Sequence, residues 1–213
     1  HTSSRRQRQM CIRDSFVIAN NTILSELNFS LDNGSHLIIS GPSGSGKSTL
    51  INLMSGLYRP TSGHVSFESN DYSKLTDKDI DEMRAKNFGL IFQRLHLIKH
   101  LTVEQNILLG FNKIKLPNIE KLIEDIGLTA KKKQLAKDLS FGESQRVAIA
   151  RGVVNNPKII FADEPTSSLD DTNATRVLEL ISAQAKKNKS SIVISTHDER
   201  VKKFFKNTFE IKL

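Results

Sequence analysis

The sequence predicts an α/β fold in which helices cover both faces of a mostly parallel sheet. Short apolar runs alternate with helical patterns from Phe16 onward, which is typical of strands joined by helical crossovers. The strands in the second half of the chain are apolar throughout, without the polar alternation of a half-exposed sheet. Strands of that kind are buried on both faces, which favours a doubly wound parallel sheet.

The predicted elements follow one another along the chain in a regular alternation. Each strand is a short apolar run, such as HLIIS, KIIFA or SIVIST, and each helix has apolar residues spaced three or four apart. We predict strands at 27–31, 36–40, 64–67, 88–92, 158–163, 190–196 and 207–211. We predict helices at 48–57, 77–85, 102–111, 118–126, 143–155, 171–187 and 198–205.

The stretch between residues 94 and 142 differs from the rest, because it has several helical segments and no convincing strand. It therefore predicts a separate helical lobe. No internal repeat and no low-complexity linker divides the chain elsewhere.

Length and composition fit one globular domain, or one domain with a sub-lobe. The 213 residues are 38% hydrophobic, which suffices for a substantial core. The longest apolar runs are far shorter than the roughly 20 residues that cross a bilayer, and no cleavable signal pattern opens the chain. Any membrane contact is therefore expected through partners. The single cysteine, Cys11, excludes an internal disulfide and suits a reducing compartment.

Residues 1–15 differ in composition from the rest of the chain and show neither helical nor strand periodicity. They carry four arginines and one aspartate, in a chain of formal net charge +8. We interpret them as a disordered or foreign leader, which leaves 16–213 as the folded domain. The alternative is a basic arm that binds nucleic acid or lipid headgroups.

The strongest chemical signal is GPSGSGKST, which follows the apolar strand HLIIS and opens a helix. It matches the G-x-x-x-x-G-K-[ST] pattern of a phosphate-binding loop completely. Glycines let backbone N–H groups curl around a β-phosphate, and the start of the helix adds partial positive charge. Lys47 is expected to reach the β- and γ-phosphates, and the Ser48 hydroxyl to bind Mg²⁺. The predicted nucleotide contacts are Gly41, Pro42, Ser43, Gly44, Ser45, Gly46, Lys47, Ser48 and Thr49.

A phosphate loop needs a carboxylate that holds the metal, and the apolar strand in KIIFADEP ends in two acidic residues. Asp163 is expected to hold Mg²⁺ through water, and Glu164 to orient or deprotonate the attacking water. Taken alone, an acidic pair at a strand end fits a polar turn equally well. The presence of the phosphate loop favours the catalytic interpretation.

Together these motifs resemble the nucleotide-binding subunits of ABC transporters, from about Phe16 to the end of the chain. Besides GPSGSGKST, the sequence has, in the family's order, Gln93 in IFQ, LSFGESQRVAIARG, FADEP, SSLD at 167–170 and His197 in ISTHD. The resemblance implies an ABC-type P-loop NTPase core with a mostly parallel sheet, an antiparallel β subdomain and an inserted helical subdomain at about 94–142. It also implies an ATPase whose cofactors are ATP and Mg²⁺.

The resemblance further implies a homodimer that forms on nucleotide binding, with the two chains paired head to tail. Ser140 and the backbone N–H of Gly142 would contact the γ-phosphate held by the partner, and the helix from about Glu143 would aim its N-terminal dipole there. Phe141 replaces the first glycine of the family's usual pair, and its side chain disfavours the positive φ that glycine allows. Asp170 in SSLD would cross the same dimer interface.

Three further residues take their roles from the resemblance. Gln93 would touch Mg²⁺ or the attacking water and link the core to the helical subdomain. His197 would hydrogen-bond the γ-phosphate and hold the geometry of the water and Glu164, at a sheet edge that faces ligands. Phe16 is a candidate to stack on adenine, and a core phenylalanine is the alternative.

The spacing of FGLIFQRLHLIKHLTVEQNILLG and QRVAIARGVVNNP resembles the lipoprotein-releasing and macrolide-export branch, which includes a cell-division ATPase. The resemblance implies integral membrane transporter subunits as partners. The chain would be peripheral, on the cytoplasmic face of the inner cell membrane, and would touch the membrane only through those partners. Leu95, Leu97 and Leu101 would contribute to a groove for a helix of a membrane subunit; packing within the helical lobe is the alternative.

The expected function is ATP binding and hydrolysis that drive export, or extraction of a lipoprotein or lipid, through separate membrane subunits. The alternative is an ATP-gated regulatory clamp that acts on a membrane partner without moving cargo, and the Phe141 substitution favours it. A DNA-repair relative is a third interpretation, which the basic charge suggests, but the chain has neither long coiled coils nor a zinc motif. We therefore expect no nucleic-acid partner.

Overall fold

The chain forms nine strands and seven α-helices, counted over residues 8–18, 21–111, 118–167, 169–206 and 208–213, which a computed structural model describes. The strands are β1 (Arg8–Ile18), β2 (Asn21–Asp32), β3 (His36–Ser40), β4 (Ser62–Phe67), β5 (Asn70–Asp71), β6 (Phe88–Ile91), β7 (Ile159–Asp163), β8 (Ser191–Thr196) and β9 (Phe209–Lys212). The α-helices are α1 (Lys47–Met54), α2 (Asp77–Asn87), α3 (Val103–Leu108), α4 (Ile119–Asp125), α5 (Phe141–Val153), α6 (Asp171–Asn188) and α7 (Glu199–Phe204).

The central sheet has the strand order β6-β7-β8-β3-β9, and all its paired strands are parallel. Alternate residues of β7 point to opposite faces of this sheet. Ile159 and Phe161 belong to a hydrophobic cluster with α1 and β4, whereas Ile160 and Ala162 belong to a cluster with α5 and α6. All four are at most 1% exposed. The predicted parallel sheet with both faces covered is confirmed.

A second sheet, antiparallel and ordered β2-β1-β4-β5, is the predicted antiparallel β subdomain. Its strand β1 includes residues 8–15, which corrects the expectation of disorder there; residues 1–7 lie outside the described ranges. Met10 in β1 is 1% exposed. Register shifts after Arg8 and on both sides of Phe16 interrupt the two-residue alternation of this strand. The interruption explains why periodicity did not reveal it.

The described part of the segment 94–142 contains α3, α4 and two short 3₁₀ turns, and no strand. Ile107 of α3 and Ile123 of α4 belong to the same hydrophobic cluster as Ile160 of β7 and Leu178 of α6. The helical segment therefore contributes to the core on the α5–α6 face of the sheet. Its boundaries as a subdomain stay a prediction.

The longest described helix, α6, is amphipathic. It has 18 residues, buries Val177, Leu178 and Ile181, and begins after the N-cap Asp170. Within the described ranges, no helix combines the length and the apolar character needed to cross a membrane.

Candidate active site

Four neighbouring strands of the parallel sheet lead into the predicted functional residues. β3 runs into the loop 41–46, β7 ends at Asp163, β8 ends immediately before His197, and β6 ends shortly before Gln93. Because these strands are adjacent and parallel, their carboxyl ends share one edge, which is where such sheets bind ligands. A cleft of about 520 Å³ at this edge is lined by Ser43, Gly44, Ser45, Gly46, Lys47, Ser48, Thr49, Gln93, Glu164 and His197.

The phosphate-binding loop needs glycine at three of its positions. A Cβ atom on Gly41 would lie 2.6 Å from Ser45 Oγ, so a side chain does not fit there. Gly44 and Gly46 have positive φ angles of 83° and 96°, which favour glycine. Gly46 is also the N-cap of α1, and no side chain caps this helix. The N–H groups at the start of α1 are therefore free to bind phosphate oxygens.

Lys47 lies at the base of the loop and is 6% exposed. Its Nζ donates to the carbonyl oxygens of Gly41 and Pro42, each at 2.9 Å, and lies 3.4 Å from Glu164 Oε1. In the same loop, Ser45 Oγ is buried and has no hydrogen-bond partner in the described part of the chain. A phosphate group in the cleft would suit both the buried ammonium and the unpaired hydroxyl.

Ser48 and Asp163 bring two oxygen donors together beside the loop. Ser48 Oγ donates to Asp163 Oδ1 at 3.0 Å, and Ser195 Oγ donates to the same carboxylate oxygen. Hard oxygen ligands suit Mg²⁺, which usually binds one or two protein carboxylates together with phosphates and water. Over the described residues, no cluster of three or more His, Cys, Asp or Glu side chains could hold a metal alone. The donors therefore fit a Mg²⁺ that arrives with a nucleotide.

Glu164 follows β7 with a left-handed backbone, φ 48°, and is 8% exposed. Its N–H donates to the Ser195 carbonyl oxygen at 3.0 Å. Its Oε1 lies 2.9 Å from His197 Nδ1, and its Oε2 lies 3.4 Å from both the His197 N–H and Thr196 Oγ1. A glutamate in this conformation is costly and is held by its surroundings, as is common at functional sites. The carboxylate is thus fixed between β8 and Lys47.

The stretch LSFGESQ crosses the start of α5. Ser140 is the N-cap: its Oγ accepts from the Glu143 N–H at 3.3 Å, and its own N–H donates to Glu143 Oε2 at 2.9 Å. Phe141 takes the first helical position and has a negative φ. Its side chain is 54% exposed. A Cβ atom on Gly142 would meet only Arg146 Nη1, at 3.9 Å. Phe141 therefore fits without backbone strain, and the start of α5 is open.

Several predicted site residues do not line this cleft. Ser140 and Gly142 lie at the start of α5, and Asp170 caps α6 by accepting from the Asn173 N–H at 2.9 Å. The backbone of Phe16 pairs in β1, but its side chain lies outside what the structure describes. Gly41 and Pro42 line a second pocket that shares His197 with the cleft, and Asp163 is joined to the cleft by the hydrogen bond from Ser48. The predicted residues thus divide into those at or beside the cleft and those at the starts of α5 and α6.

Comparisons with known proteins show which family this site belongs to. The model of the ABC transporter family matches residues 24–167, more than half of the chain. The chain belongs to the ABC transporter family. The lipoprotein-releasing system ATP-binding protein LolD of Wigglesworthia glossinidia brevipalpis is 39% identical to this ABC chain over 196 residues, 89% of the chain and 86% of the relative. The putative hemin import ATP-binding protein HrtA of Staphylococcus haemolyticus is 39% identical over 201 residues, which are 91% of this chain and 90% of the relative.

Solved structures of ATP-binding cassettes resemble this chain in fold, in line with the family found from sequence. A dimeric ATP-binding cassette in a post-hydrolysis state, bound to ADP and Pi, matches this ABC chain with a TM-score of 0.79 and 28% identity, over 92% of this chain and 90% of that one. The predicted family, the fold class and the predicted function as an ATP-binding, ATP-hydrolysing transporter subunit are therefore confirmed.

Sequence reasoning missed Ser195 of this ABC subunit. Its hydroxyl donates to Asp163, and its carbonyl and hydroxyl oxygens lie 3.0 and 3.3 Å from the Glu164 N–H. Ser195 is fully buried near the end of β8. The available signal was the polar pair Ser195 and Thr196, which ends the apolar run of this strand directly before His197.

Proposed function

We propose that this ABC subunit is one half of a head-to-tail homodimer that forms on nucleotide binding and drives separate integral membrane subunits. The observation that carries the proposal is the division of the site. Lys47, Glu164 and His197 meet in one cleft, whereas the start of α5 at Ser140 and Gly142 is open and lies outside it. A second copy of the chain would bring its α5 start to this cleft. The dimeric cassettes among the solved structures support such a pairing.

Each cleft residue has a role in this proposal. The N–H groups of the loop 41–46 and Lys47 would bind the β- and γ-phosphates. Glu164 would orient the attacking water and accept its proton, while His197, with Nδ1 toward Glu164, would turn Nε2 to the γ-phosphate.

Mg²⁺ would neutralise charge on the phosphates when bound. Ser48, Gln93 and, through water, Asp163 would hold it. Ser140, Gly142 and Asp170 would act across the dimer interface. Phe16 would stack on adenine.

We place this subunit on the cytoplasmic face of the inner membrane, attached through its membrane partners. The contact would use the segment after Gln93, where Leu97 packs against the core and Ile98 is 37% exposed. The lipoprotein-releasing relatives support export, or extraction of a lipoprotein or lipid, as the transport step.

Glu164→Gln tests the catalytic role and the dimer together. Without the carboxylate that accepts the proton, ATPase activity should fall roughly 100-fold or more. Because Lys47 and the loop remain, the variant should still bind ATP and Mg²⁺ and should accumulate as a dimer in size-exclusion chromatography. The matched control, Glu179→Gln on the exposed face of α6, should change neither property. A Glu164→Gln chain that stays monomeric with ATP and Mg²⁺ would contradict the proposal.

A regulatory clamp is the second candidate, because the exposed Phe141 ring stands where the partner's nucleotide would approach. A flux assay in vesicles that contain the subunit and its membrane partners distinguishes the transporter from the regulatory clamp. ATP-dependent cargo flux supports transport, and ATP-dependent closure without flux supports the clamp.

A further inference from the structure

Gln145 is a buried amide between α5 and the catalytic carboxylate. It lies in the second turn of α5, after the Ser140 cap, and is 5% exposed. Its Nε2 donates to the carbonyl oxygen of Pro165, the residue after Glu164. Its Oε1 is buried and has no hydrogen-bond partner in the described ranges. Buried amides rarely stay half satisfied, because an unpaired polar group is unfavourable in the protein interior.

The backbone around Glu164 depends on such contacts. Glu164 has φ 48°, a conformation that a glutamate keeps only where its neighbours hold it. On the β8 side, the Ser195 carbonyl accepts from the Glu164 N–H at 3.0 Å, and Asp198 Oδ2 accepts from Thr166 Oγ1 at 2.6 Å. On the α5 side, Gln145 donates to the carbonyl oxygen of Pro165, which lies between Glu164 and Thr166 in the chain. Gln145 therefore helps to set the position of the Glu164 carboxylate.

We propose that Gln145 is a positioning residue that couples the orientation of Glu164 to the position of α5. The inference rests on the proposed head-to-tail dimer, in which α5 begins at the partner's nucleotide while Glu164 acts on the chain's own. When the start of α5 meets the partner's phosphate, Gln145 transmits the shift to the Pro165 carbonyl. The unpaired Oε1 gives this amide an acceptor that gains a partner in the shifted position. One chain thereby links the two nucleotide sites.

Gln145→Met tests the link, because methionine keeps the length of the side chain and removes both the donor and the acceptor. The matched control is Gln184→Met on α6, where the amide is also 5% exposed and its Nε2 lies 3.4 Å from Asp125 Oδ2. In the complex with membrane subunits, Gln145→Met should lower kcat roughly 10- to 100-fold, as expected for a misplaced catalytic group. The KM for ATP should stay nearly constant, and Gln184→Met should change neither value.

Mixed dimers show on which chain Gln145 acts. When one chain carries Glu164→Gln, only the Glu164 of the other chain supports hydrolysis. Gln145→Met should lower the rate when it lies in the chain with the intact Glu164, and should not lower it in the Glu164→Gln chain. A residue that merely shapes the start of α5 would give the opposite result, because the Glu164→Gln chain supplies α5 to the working site.

Failure of the Gln145 proposal can be told apart from failure of the proposed dimer. The proposal is overturned if Gln145→Met leaves kcat unchanged, or if the loss occurs with the substitution in the Glu164→Gln chain. If the proposed dimer itself is wrong, Glu164→Gln alone fails to dimerise with ATP and Mg²⁺, which is measured before the mixed dimers are made. Should Gln145→Met melt below the assay temperature, Gln145→Leu takes its place with the same expected pattern.

Discussion

At the residue scale, the Glu164 carboxylate is the point at which the charged groups of the cleft meet. Its Oε1 lies 2.9 Å from His197 Nδ1 and 3.4 Å from Lys47 Nζ. Because Lys47 is a partner of this carboxylate oxygen, a phosphate that draws the ammonium away leaves His197 Nδ1 as its remaining side-chain partner. Phosphate binding at Lys47 and the environment of the Glu164 carboxylate are therefore linked through a single ion pair.

Phe141 carries the first prediction at this scale. Its ring is 54% exposed at the start of α5, where a phosphate would approach the helix N-terminus. Phe141→Gly should therefore raise the ATPase activity of the assembled complex severalfold. Phe141→Ala is the matched variant, because it removes the ring and keeps helix propensity, and it should raise activity as well. Equal or lower activity in both variants would show that the ring does not hinder the contact.

His36 predicts a pH dependence of stability. Its Nδ1 accepts from the Ile192 N–H at 3.1 Å, which requires the neutral imidazole, and burial lowers the pKa of His36 against a smaller opposing effect of the Ser35 backbone. Below about pH 6.5 the unfolded chain takes up this proton first. The free energy of unfolding should therefore fall as the pH drops from about 6.5 toward the lower folded-state pKa.

Urea denaturation between about pH 5 and 8 measures this effect. His36→Asn offers an acceptor without a titrating ring, so its midpoint should depend less on pH in that window. An unchanged pH profile in His36→Asn would assign the effect to other groups.

At the element scale, the helix starts near the site differ in how they are capped. α1 begins at Gly46 without a side-chain cap, whereas α5 and α6 begin at Ser140 and Asp170, whose side chains accept backbone N–H groups. In α5 the Lys131 ammonium and the Ser140 N–H hold the pKa of Glu143 below its usual range. The uncapped helix is the one that faces the cleft, whereas in each capped helix a side chain already accepts from a backbone N–H of the first turn.

Asp170 gives the prediction at this scale. Asp170→Ala removes the cap of α6 and should lower the free energy of unfolding by about 1 kcal/mol. Asp170→Asn keeps an equivalent cap and should stay close to the parent protein in the same urea titration. If the alanine variant is as stable as the asparagine variant, the cap is not a determinant of α6 stability.

At the scale of the whole molecule, the parallel sheet gathers distant segments at one edge. The loop 41–46, Gln93, Glu164 and His197 come from four strands that are neighbours in space and far apart in sequence. Both faces of the sheet pack into hydrophobic clusters, so these strand ends belong to the core of the fold. A ligand that bridges the ends of these strands should therefore stabilise the whole fold.

Thermal unfolding with ATP and Mg²⁺ tests this expectation. At a nucleotide concentration of about 100 times Kd, binding contributes roughly 2.7 kcal/mol, which corresponds to a Tm increase of roughly 5–10 °C for a chain of this size. Removal of Mg²⁺ with EDTA should reduce the increase, and Lys47→Met should abolish it. A full increase in Lys47→Met would contradict the assignment of the phosphate site.

The sequence by itself determined the features that depend on short-range pattern. All seven predicted strands and all seven predicted helices are present, and only β2 departs clearly from its predicted bounds, since it begins at Asn21 and not at residue 27. Buried strands are recognisable as short, wholly apolar runs, and amphipathic helices by their periodic apolar residues. The placement of the phosphate loop, Asp163, Glu164 and His197 at strand ends was also predictable, since each belongs to a motif that follows an apolar run, and their roles stay predictions. The register shifts of β1 broke its pattern, so this strand required the structure.

The tertiary structure alone decided the contacts between segments that are remote in sequence. Among these are the hydrogen bonds that Ser195 donates to Asp163 and accepts from Glu164, the hydrogen bond from Gln145 to Pro165, and the ion pair of Glu164 with Lys47. The physical reason is that sequence spacing constrains the secondary structure of a segment, whereas the distance between two segments depends on how the sheet orders its strands and on what packs against them.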